Sequence, residues 1–284
     1  MGTTKKSKNQ KIIKKQVNKA IKRIPLGIVI CILIVGCIAG YLYYKKINDN
    51  KDSTNENNIK GNVAYLVQEG TTVDDVKITF LELFGTNGNP QIGDSVFIEC
   101  GDIDILIDAG EKASGSNTVV PFIEEHVSDN ILELVIVTHA DSDHLGGMVG
   151  LSNSYGALEV PGITYQYIVD FGYEGQTQLY KDYLEVRNKK IKEGTKYFSI
   201  GSIFDSDHLE AITRFYLGVD TYLDLLDYKT YEISEITDDN DRSVSCLLTH
   251  NDKKVLLCGD AEKKEEAYLT SLNIGHVDVF TVSY

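Results

Sequence analysis

This sequence lacks pairs of cysteines at the spacing typical of a zinc site. Of its five cysteines, Cys31 and Cys37 fall within one long apolar run, while Cys100, Cys246 and Cys258 lie in separate strand-like segments. The three outside the apolar run cannot all pair, and none has a second cysteine at the spacing of a zinc site. The sequence therefore gives no cysteine zinc site, and buried free thiols are expected.

Other features are missing as well. There is no internal repeat and no Ser or Cys nucleophile with a convincing partner. Charged residues are absent from 24–44, and acidic residues are absent from 1–23, which carry nine Lys or Arg. At about 1.5 Å per residue, the uncharged run would form roughly 30 Å of helix, the thickness of a bilayer core. The run is therefore predicted to be a transmembrane anchor.

Charge also predicts the orientation of this anchor. By the positive-inside rule, 1–23 form a basic cytoplasmic segment and the chain after the span is extracellular. Lys45 and Lys46 close the span, next to Tyr41, Tyr43 and Tyr44, which suit the headgroup level. A cleaved signal peptide is disfavoured because its apolar region is usually shorter, about 7–15 residues. A lipoprotein cleavage box ending at Cys37 and a buried soluble helix are the alternatives.

The rest of the chain differs in composition from the anchor. Residues 45–62 are polar and rich in Asn and Asp, which predicts a flexible tether. Residues 1–60 carry thirteen basic and three acidic side chains, whereas the remaining residues carry a net charge of −24. The two parts therefore face different surroundings, and 63–284 is predicted to be the folded domain.

This domain is predicted to be α/β, with strands first and helices between the later strands. The predicted strands are 76–84, 95–100, 103–110, 132–138, 164–171, 243–250, 253–260 and 277–283, and the predicted helices are 117–127, 177–194 and 261–272.

The stretch THADSDHLGG, residues 138–147, follows an apolar strand and holds four groups that can bind metal. Imidazole and carboxylate together suit zinc, iron or manganese. His139 and Asp141 can point into one cavity, while Asp143 and His144 can reach a second position, so the spacing suits two ions. The Gly pair permits a tight turn leading into a helix. The alternative is a helix cap by one of the two Asp residues.

This loop resembles the His-x-His-x-Asp-His motif of the metallo-β-lactamase fold superfamily, with Asp141 in place of the second His. The His-x-Asp-x-Asp-His form is similar to the extracellular hydrolase domain of ComEC-type DNA-uptake proteins and their free-standing relatives. Similar segments follow in the family's order along most of 76–284, including a Gly-Asp turn, a strand ending in Asp-x-Gly, and "LLCGDAE". The resemblance implies a four-layer αββα sandwich.

The resemblance also implies roles for particular residues. His139 and Asp141 would bind a first divalent ion, Asp143 and His144 a second, and Asp260 would bridge both. Asp143 or Asp260 could also orient the nucleophile and pass its proton, which makes them the candidate catalytic residues. The two ions would be Zn²⁺ or Mn²⁺.

Two of these carboxylates have other possible roles. Asp260 could instead cap the helix that follows it. Asp108, at the end of a core strand, could orient a metal ligand by a hydrogen bond without itself binding the metal, or could simply fix the turn.

The sequence departs from the family pattern in two places. No His occurs at 240–243, where many members of the superfamily have another metal ligand. Relatives also continue beyond the last strand with a His-His-Gly stretch, so the C-terminal part of the sandwich is expected to be missing. His250 and His276 are not expected to replace it, and the "DSDH" at 205–208 lacks a preceding apolar strand.

These features together predict a membrane-anchored extracellular hydrolase that uses a metal-bound hydroxide. The expected substrate is a phosphoester or phosphodiester, in DNA or in a nucleotide, although the acidic domain opposes binding of a polyanion. The Tyr-rich stretch 164–231 could stack a base but is more simply explained as core. The alternatives are a hydrolase of another ester, such as a cell-envelope substituent, and a non-catalytic binding module. No protein partner is inferred.

Overall fold

The computed structural model of this protein describes residues 62–200, 212–226 and 238–281. Its strands are β1 Asn62–Tyr65, β2 Lys77–Phe80, β3 Val96–Cys100, β4 Ile103–Ile107, β5 Ile131–Val137, β6 Thr164–Asp170, β7 Lys196–Ser199, β8 Ile212–Gly218, β9 Thr221–Leu225, β10 Cys246–His250, β11 Lys253–Leu257 and β12 Val279–Phe280. Its α-helices are α1 Lys112–Ser114, α2 Val120–His126, α3 Ser142–Leu145, α4 Gln178–Glu193 and α5 Lys263–Ser271. A π-helical turn, Gly115–Val119, joins α1 to α2, and 3₁₀ turns cover Gly146–Met148 and Asn240–Arg242.

The strands form two six-stranded sheets. The first sheet has the order β2-β3-β4-β5-β6-β7, and the second has the order β1-β8-β9-β10-β11-β12. In the first sheet β5 lies between β4 and β6 and is parallel to both. This position explains why six of its seven residues, ILELVIV, are apolar, because a central parallel strand is buried on both faces.

The two sheets share one hydrophobic core. Phe215 of β8 packs edge-on against Tyr167 of β6, with 5.4 Å between the ring centroids. On the other face of the first sheet, Phe122 of α2 packs against Phe97 of β3. The structure is therefore an α/β sandwich with helices outside the paired sheets.

Helix α4 has a capping residue at each end. The Thr177 side chain accepts a hydrogen bond from the Tyr180 backbone N–H at the N-terminus. Gly194 ends the helix in a left-handed conformation, with φ of 112°.

Strand β1 lies at the edge of the second sheet, where it pairs in parallel with β8. The Tyr65 ring stacks on the Tyr216 ring of β8, with 4.8 Å between centroids. The Leu66 backbone N–H donates a further hydrogen bond to the Tyr216 carbonyl, at 2.9 Å. The first described residues of the chain are therefore part of this sheet.

The sequence predicted most of the elements but not all. The structure has additional strands that were not predicted, β1, β7, β8 and β9. The predicted helix 117–127 is longer at its start, because α1 and the π-helical turn precede α2. The helix near the Gly pair begins at Ser142, ahead of the pair and not after it. Cys100, Cys246 and Cys258 are buried free thiols, as expected.

The predicted cytoplasmic segment 1–23, the predicted anchor 24–44, nearly all of the tether 45–62 and the 205–208 segment lie outside the described residues. Within the described ranges, none of the helices has the length and apolar character needed to cross a membrane.

Candidate metal centre

The candidate centre is built where β5 ends. The strand leads directly into Thr138 and His139, and the short helix α3 then carries His144. Both histidine side chains are almost completely buried, and their ring centroids lie 4.2 Å apart. The structure therefore brings the two histidines into one place, whereas the sequence assigned them to separate ions.

Glycine is required directly behind this loop. A Cβ atom on Gly147 would lie 1.9 Å from the Ala109 carbonyl oxygen, and the Gly115 backbone is also close. On the other side, a Cβ atom on Gly93 would lie 1.9 Å from the Asp143 carbonyl oxygen. These close backbone approaches hold the loop against the end of β4, and a larger residue at either position would displace it.

The hydrogen bonds around His139 define its tautomer. The Thr138 hydroxyl lies 2.6 Å from Oδ2 of Asp108, which is an acceptor only, so its single hydrogen is donated there. The same hydroxyl lies 2.9 Å from Nδ1 of His139 and must therefore accept from that nitrogen. Nε2 of His139 then carries a lone pair, and it is buried without a hydrogen-bond partner. A buried unpartnered imidazole nitrogen of this kind is suited to a metal ion.

His144 lies between two carboxylates. Its Nδ1 is 2.9 Å from Oδ2 of Asp108, and its Nε2 is 3.3 Å from Oδ2 of Asp260. Burial alone would lower the pKa of His144, but the hydrogen bonds to Asp108 and Asp260 outweigh burial and raise it to about 11. The hydrogen bond from His144 in turn lowers the pKa of Asp260.

Asp108 contacts His144 directly and reaches His139 through the Thr138 hydroxyl. Besides the two contacts of Oδ2, its Oδ1 accepts a hydrogen bond from the Thr138 backbone N–H at 2.8 Å. Asp108 has a positive φ of 57°, uncommon for a residue other than glycine. Its two possible roles are thus combined in the structure, because it fixes the turn after β4 and also orients His144.

Three donor groups converge at this point. Nitrogen atoms of His139 and His144 and a carboxylate oxygen of Asp260 all lie within 4.8 Å of one another. The unpartnered Nε2 of His139 and the anchored Nδ1 of His144 are both features of metal-binding histidines. The residues present therefore fit a divalent ion.

Asp141 and Asp143 lie at the rim of the centre and outside this three-residue group. Asp141 is exposed, and Asp143 is half-buried. Both line a groove of about 440 Å³ together with Ala140 and Leu179. Burial raises the pKa of Asp141, although neighbouring His139 opposes that shift. The two carboxylates are positioned to contact whatever occupies the groove.

Neither Asp141 nor Asp260 caps a helix through its side chain, as the sequence had allowed. Asp141 stands at the N-cap of α3, but its side chain makes no capping hydrogen bond. Asp260 does not cap α5, whose N-cap is Glu262. The carboxylate of Asp241 does so instead, because it accepts hydrogen bonds from the backbone N–H groups of Lys264 and Glu265.

The loop 240–244, in which the sequence lacks a His, is nevertheless part of the centre. The Val244 backbone N–H donates to the Thr138 carbonyl at 2.9 Å. Oγ of Ser243 lies 3.4 Å from Nδ1 of His139. Ser243 therefore contacts the ring whose other nitrogen faces the candidate site.

Sequence reasoning missed several residues of the centre. Thr138 and Ser243 contact His139, and the Tyr173 hydroxyl accepts a hydrogen bond from the Ala140 backbone N–H at 3.0 Å. Asp94 follows Gly93, and burial raises its pKa while the charge of His144 opposes the rise. Only Asp94 had a sequence signal, since it lies in the Gly-Asp turn that resembles the family's.

His250 and His276 are not members of the three-residue group. Nδ1 of His250 lies 2.8 Å from the Thr221 hydroxyl, and its Nε2 contacts Asn251. The His276 side chain is 85% exposed. Both therefore have the satisfied or surface positions expected for them.

Comparison with known proteins supports the fold. A family model described as the metallo-β-lactamase superfamily matches residues 88–218, which contain the histidine loop. No curated protein shows significant similarity to the chain. The match to 88–218 and the two paired sheets agree with the predicted metallo-β-lactamase-like α/β sandwich.

The solved structures that resemble this chain are only distantly similar to it. The metallo-β-lactamase fold protein YhfI from Bacillus subtilis has 16% identity and a TM-score of 0.43, over 73% of this chain and 70% of that one. A putative metallo-β-lactamase from Thermotoga maritima has 17% identity and a TM-score of 0.37, over 75% and 98%. AiiA from B. thuringiensis has 13% identity and a TM-score of 0.38, over 75% and 93%. Likenesses at this level do not bear on the substrate.

Proposed function

We propose that this protein is a metal-dependent hydrolase of phosphoester bonds, most simply of phosphodiesters as a nuclease-like enzyme. The observation that carries the proposal is the convergence of His139, His144 and Asp260 within 4.8 Å, with a buried unpartnered nitrogen on His139. Divalent ions bound there would lower the pKa of a water molecule and stabilise negative charge on an attacked oxygen.

The residues of the chain would have distinct roles in this reaction. His139, His144 and Asp260 would hold one ion, either Zn²⁺ or Mn²⁺. Asp141 and Asp143 would provide ligands for a second ion on the groove side, and Asp143 or Asp260 would orient the attacking water and accept its proton. Asp108 would keep both imidazoles in the tautomers that leave Nε2 for the metal.

The proposed location follows from the amino-acid pattern of the N-terminal region. The uncharged run 24–44 after nine basic residues supports a single-pass anchor with the hydrolase domain outside the cell. The ComEC-type motif favours DNA or a nucleotide as the substrate. The domain charge of −24 would oppose a long polyanion, so a short or locally bound phosphodiester is the better candidate.

The activity is tested with the full-length protein, an aryl phosphodiester, and added Mn²⁺ or Zn²⁺. Hydrolysis should depend on the ion and should fall at least about 100-fold in Asp260→Asn, which keeps the shape of the side chain but removes its charge. Asp252→Asn is the matched control, because Asp252 has an 83% exposed side chain in the turn after β10. Metal-dependent hydrolysis of a lactone or carboxylic ester, with no phosphodiester hydrolysis, would contradict the proposal.

The location is tested separately by adding protease to intact cells. Residues 62–284 should be cleaved from outside while the basic N-terminus stays protected. Complete protection of the hydrolase domain in intact cells, with cleavage after lysis, would reject the extracellular orientation and leave the proposed chemistry unaffected.

A further inference from the structure

A cation and a phenol lie together beside the metal loop. The guanidinium carbon of Arg242 lies 4.8 Å from the ring centroid of Tyr173, within the range of a cation–π interaction. Arg242 also forms an ion pair with Asp239, with 3.7 Å between Nη1 and Oδ1. Its side chain is 19% exposed, so the charge is held in place and still reaches solvent.

Tyr173 connects this pair to the metal loop. Its hydroxyl oxygen accepts the hydrogen bond from the Ala140 backbone N–H, between His139 and Asp141. Burial raises the pKa of Tyr173, so the phenol is neutral and keeps one O–H to donate. Ala140 lines the same groove as Asp141 and Asp143. The hydroxyl is therefore bonded to a residue that lines the groove, between two candidate ligands in sequence.

Arg242 is held near the centre by its own segment of chain. It ends the 3₁₀ turn Asn240–Arg242, and Ser243, the next residue, contacts His139. The Val244 backbone bond to Thr138 fixes this segment to the end of β5. These contacts hold the backbone of Arg242 close to the histidine loop, while Tyr173 and Asp239 contact its guanidinium.

A fixed cation beside the groove would favour an anionic substrate. Asp141 and Asp143 line the groove, and Asp239 lies beside Arg242. The proposed ions would offset the charge of Asp141 and Asp143, and a donor-rich cation would further attract a phosphate against the remaining negative charge. Arginine suits this task because its planar guanidinium can donate two parallel hydrogen bonds to phosphate oxygens.

We infer that Arg242 and Tyr173 form the subsite that binds the non-bridging oxygens of the substrate's phosphoryl group. This inference rests on the proposed function, since it names the groups that would select an anionic phosphoester over a neutral ester at the same centre. Arg242 supplies the charge, the Tyr173 hydroxyl donates a hydrogen bond, and Asp239 competes with the substrate for the guanidinium.

The inference predicts opposite effects of two neighbouring substitutions. Inorganic phosphate is the probe, and its binding to the full-length, Mn²⁺-loaded protein is measured by calorimetry. Arg242→Gln should weaken phosphate binding about 10- to 100-fold, the usual effect of losing hydrogen bonds from a charged donor. Asp239→Asn should strengthen it, because the competing carboxylate is removed. A folding defect would weaken binding in both variants.

A second substitution that removes one positive charge distinguishes a specific phosphate subsite from a general electrostatic attraction. Lys112 is also basic and near the loop, but it is committed to Asp182 at 3.0 Å. Lys112→Gln removes the same charge and should change phosphate affinity less than about threefold. Equal losses in Lys112→Gln and Arg242→Gln, or an unchanged affinity in Arg242→Gln, would overturn the subsite.

Catalysis provides the second measurement. Arg242→Gln should raise KM for an anionic aryl phosphodiester and leave the KM of a neutral phosphotriester unchanged. If the native protein binds phosphate as described but hydrolyses no phosphoester, the proposed function fails and the subsite stands. If it hydrolyses phosphodiesters and Arg242→Gln leaves the KM of both substrates at the native values, the subsite fails and the proposed function stands.

Discussion

Oδ2 of Asp108 lies 2.9 Å from Nδ1 of His144, and both side chains are buried. Because the carboxylate accepts from Nδ1, it directs Nε2 of the same ring towards Asp260. The orientation of a candidate metal ligand therefore depends on a residue more than thirty positions earlier in the chain.

Replacing Asp108 with Asn should weaken metal binding without unfolding the protein. Asn tolerates the positive φ at this position, but it has one acceptor oxygen where the carboxylate has two, and its NH₂ group can only donate. Either His144 or the Thr138 backbone N–H would therefore lose its acceptor, and the anchoring of His144 would weaken. Zn²⁺ affinity should fall about 10- to 100-fold, measured by competition with a chromophoric chelator. An affinity equal to that of Asp252→Asn would show that Asp108 only shapes the turn.

Thr138 should matter through its hydroxyl and not through its volume. Thr138→Val keeps the shape but removes the group that accepts from His139 and donates to Asp108. We expect the Nδ1-protonated form of His139 to lose its preference, which nitrogen NMR of the ring can detect, together with weaker metal binding. Thr138→Ser, which keeps the hydroxyl, is the matched control and should behave like the native protein.

Gly147→Ala should strongly destabilise the domain. The new Cβ would lie 1.9 Å from the Ala109 carbonyl oxygen, so the loop or β4 must move, at a cost at or above the usual ~1–3 kcal/mol of overpacking. Gly162→Ala is the control, because Gly162 has a positive φ of 86° but open space around it. It should cost only about 1 kcal/mol. Denaturant unfolding measures both, and equal losses would show that the close approach is unimportant.

The buried carboxyl groups of Asp104 and Glu133 should make stability depend on pH. They lie on adjacent strands, where Oε2 of Glu133 accepts from the Asp104 backbone N–H at 2.9 Å. Burial raises the pKa of Asp104 to about 7, with Glu133 contributing, and burial likewise raises that of Glu133 to about 7. The folded state therefore holds protons that the unfolded chain has released, and stability should fall as pH rises from about 4 to 7.

Glu133→Gln tests this pH dependence. The amide oxygen can keep the hydrogen bond from Asp104 while the charge is removed. At pH 8 the variant should be more stable than the native protein by on the order of 1 kcal/mol, a value reduced for solvent screening, and the gain should vanish near pH 4. Thermal unfolding at both pH values is the measurement. A gain of equal size at both would show that the effect is packing and not charge.

The histidine loop could be predicted because its candidate ligands are adjacent in sequence, directly after an apolar strand. Strands β8 and β9 could not, in part because Arg214 and Asp224 interrupt their apolar pattern. These two side chains are buried as an ion pair between the strands, with 2.6 Å between Nε and Oδ1. From sequence alone, a charged residue is predicted to be exposed. Its burial here is possible only because its partner on the neighbouring strand carries the opposite charge.

At the candidate metal centre, too, the role of a residue depended on partners that are distant in sequence. Asp260 and Asp241 are nineteen residues apart, and either could have capped α5 by residue type alone. The hydrogen bonds of Asp241 to the start of that helix leave Asp260 facing His144. Residues such as Tyr173 and Ser243 reach the centre only through the packing of distant loops, for which the local sequence carries no signal.

The parallel pairing of β1 with β8 has a mechanical consequence. Parallel strands are joined by evenly spaced hydrogen bonds, and here the Tyr65–Tyr216 stack adds a side-chain contact. A pull on the chain ahead of Asn62 along the strand axis would load these bonds in shear, so that they resist together and do not open one at a time. Tension arriving from the N-terminal side would thus be borne at the edge of the second sheet, on a different sheet from the strand that leads to the two histidines.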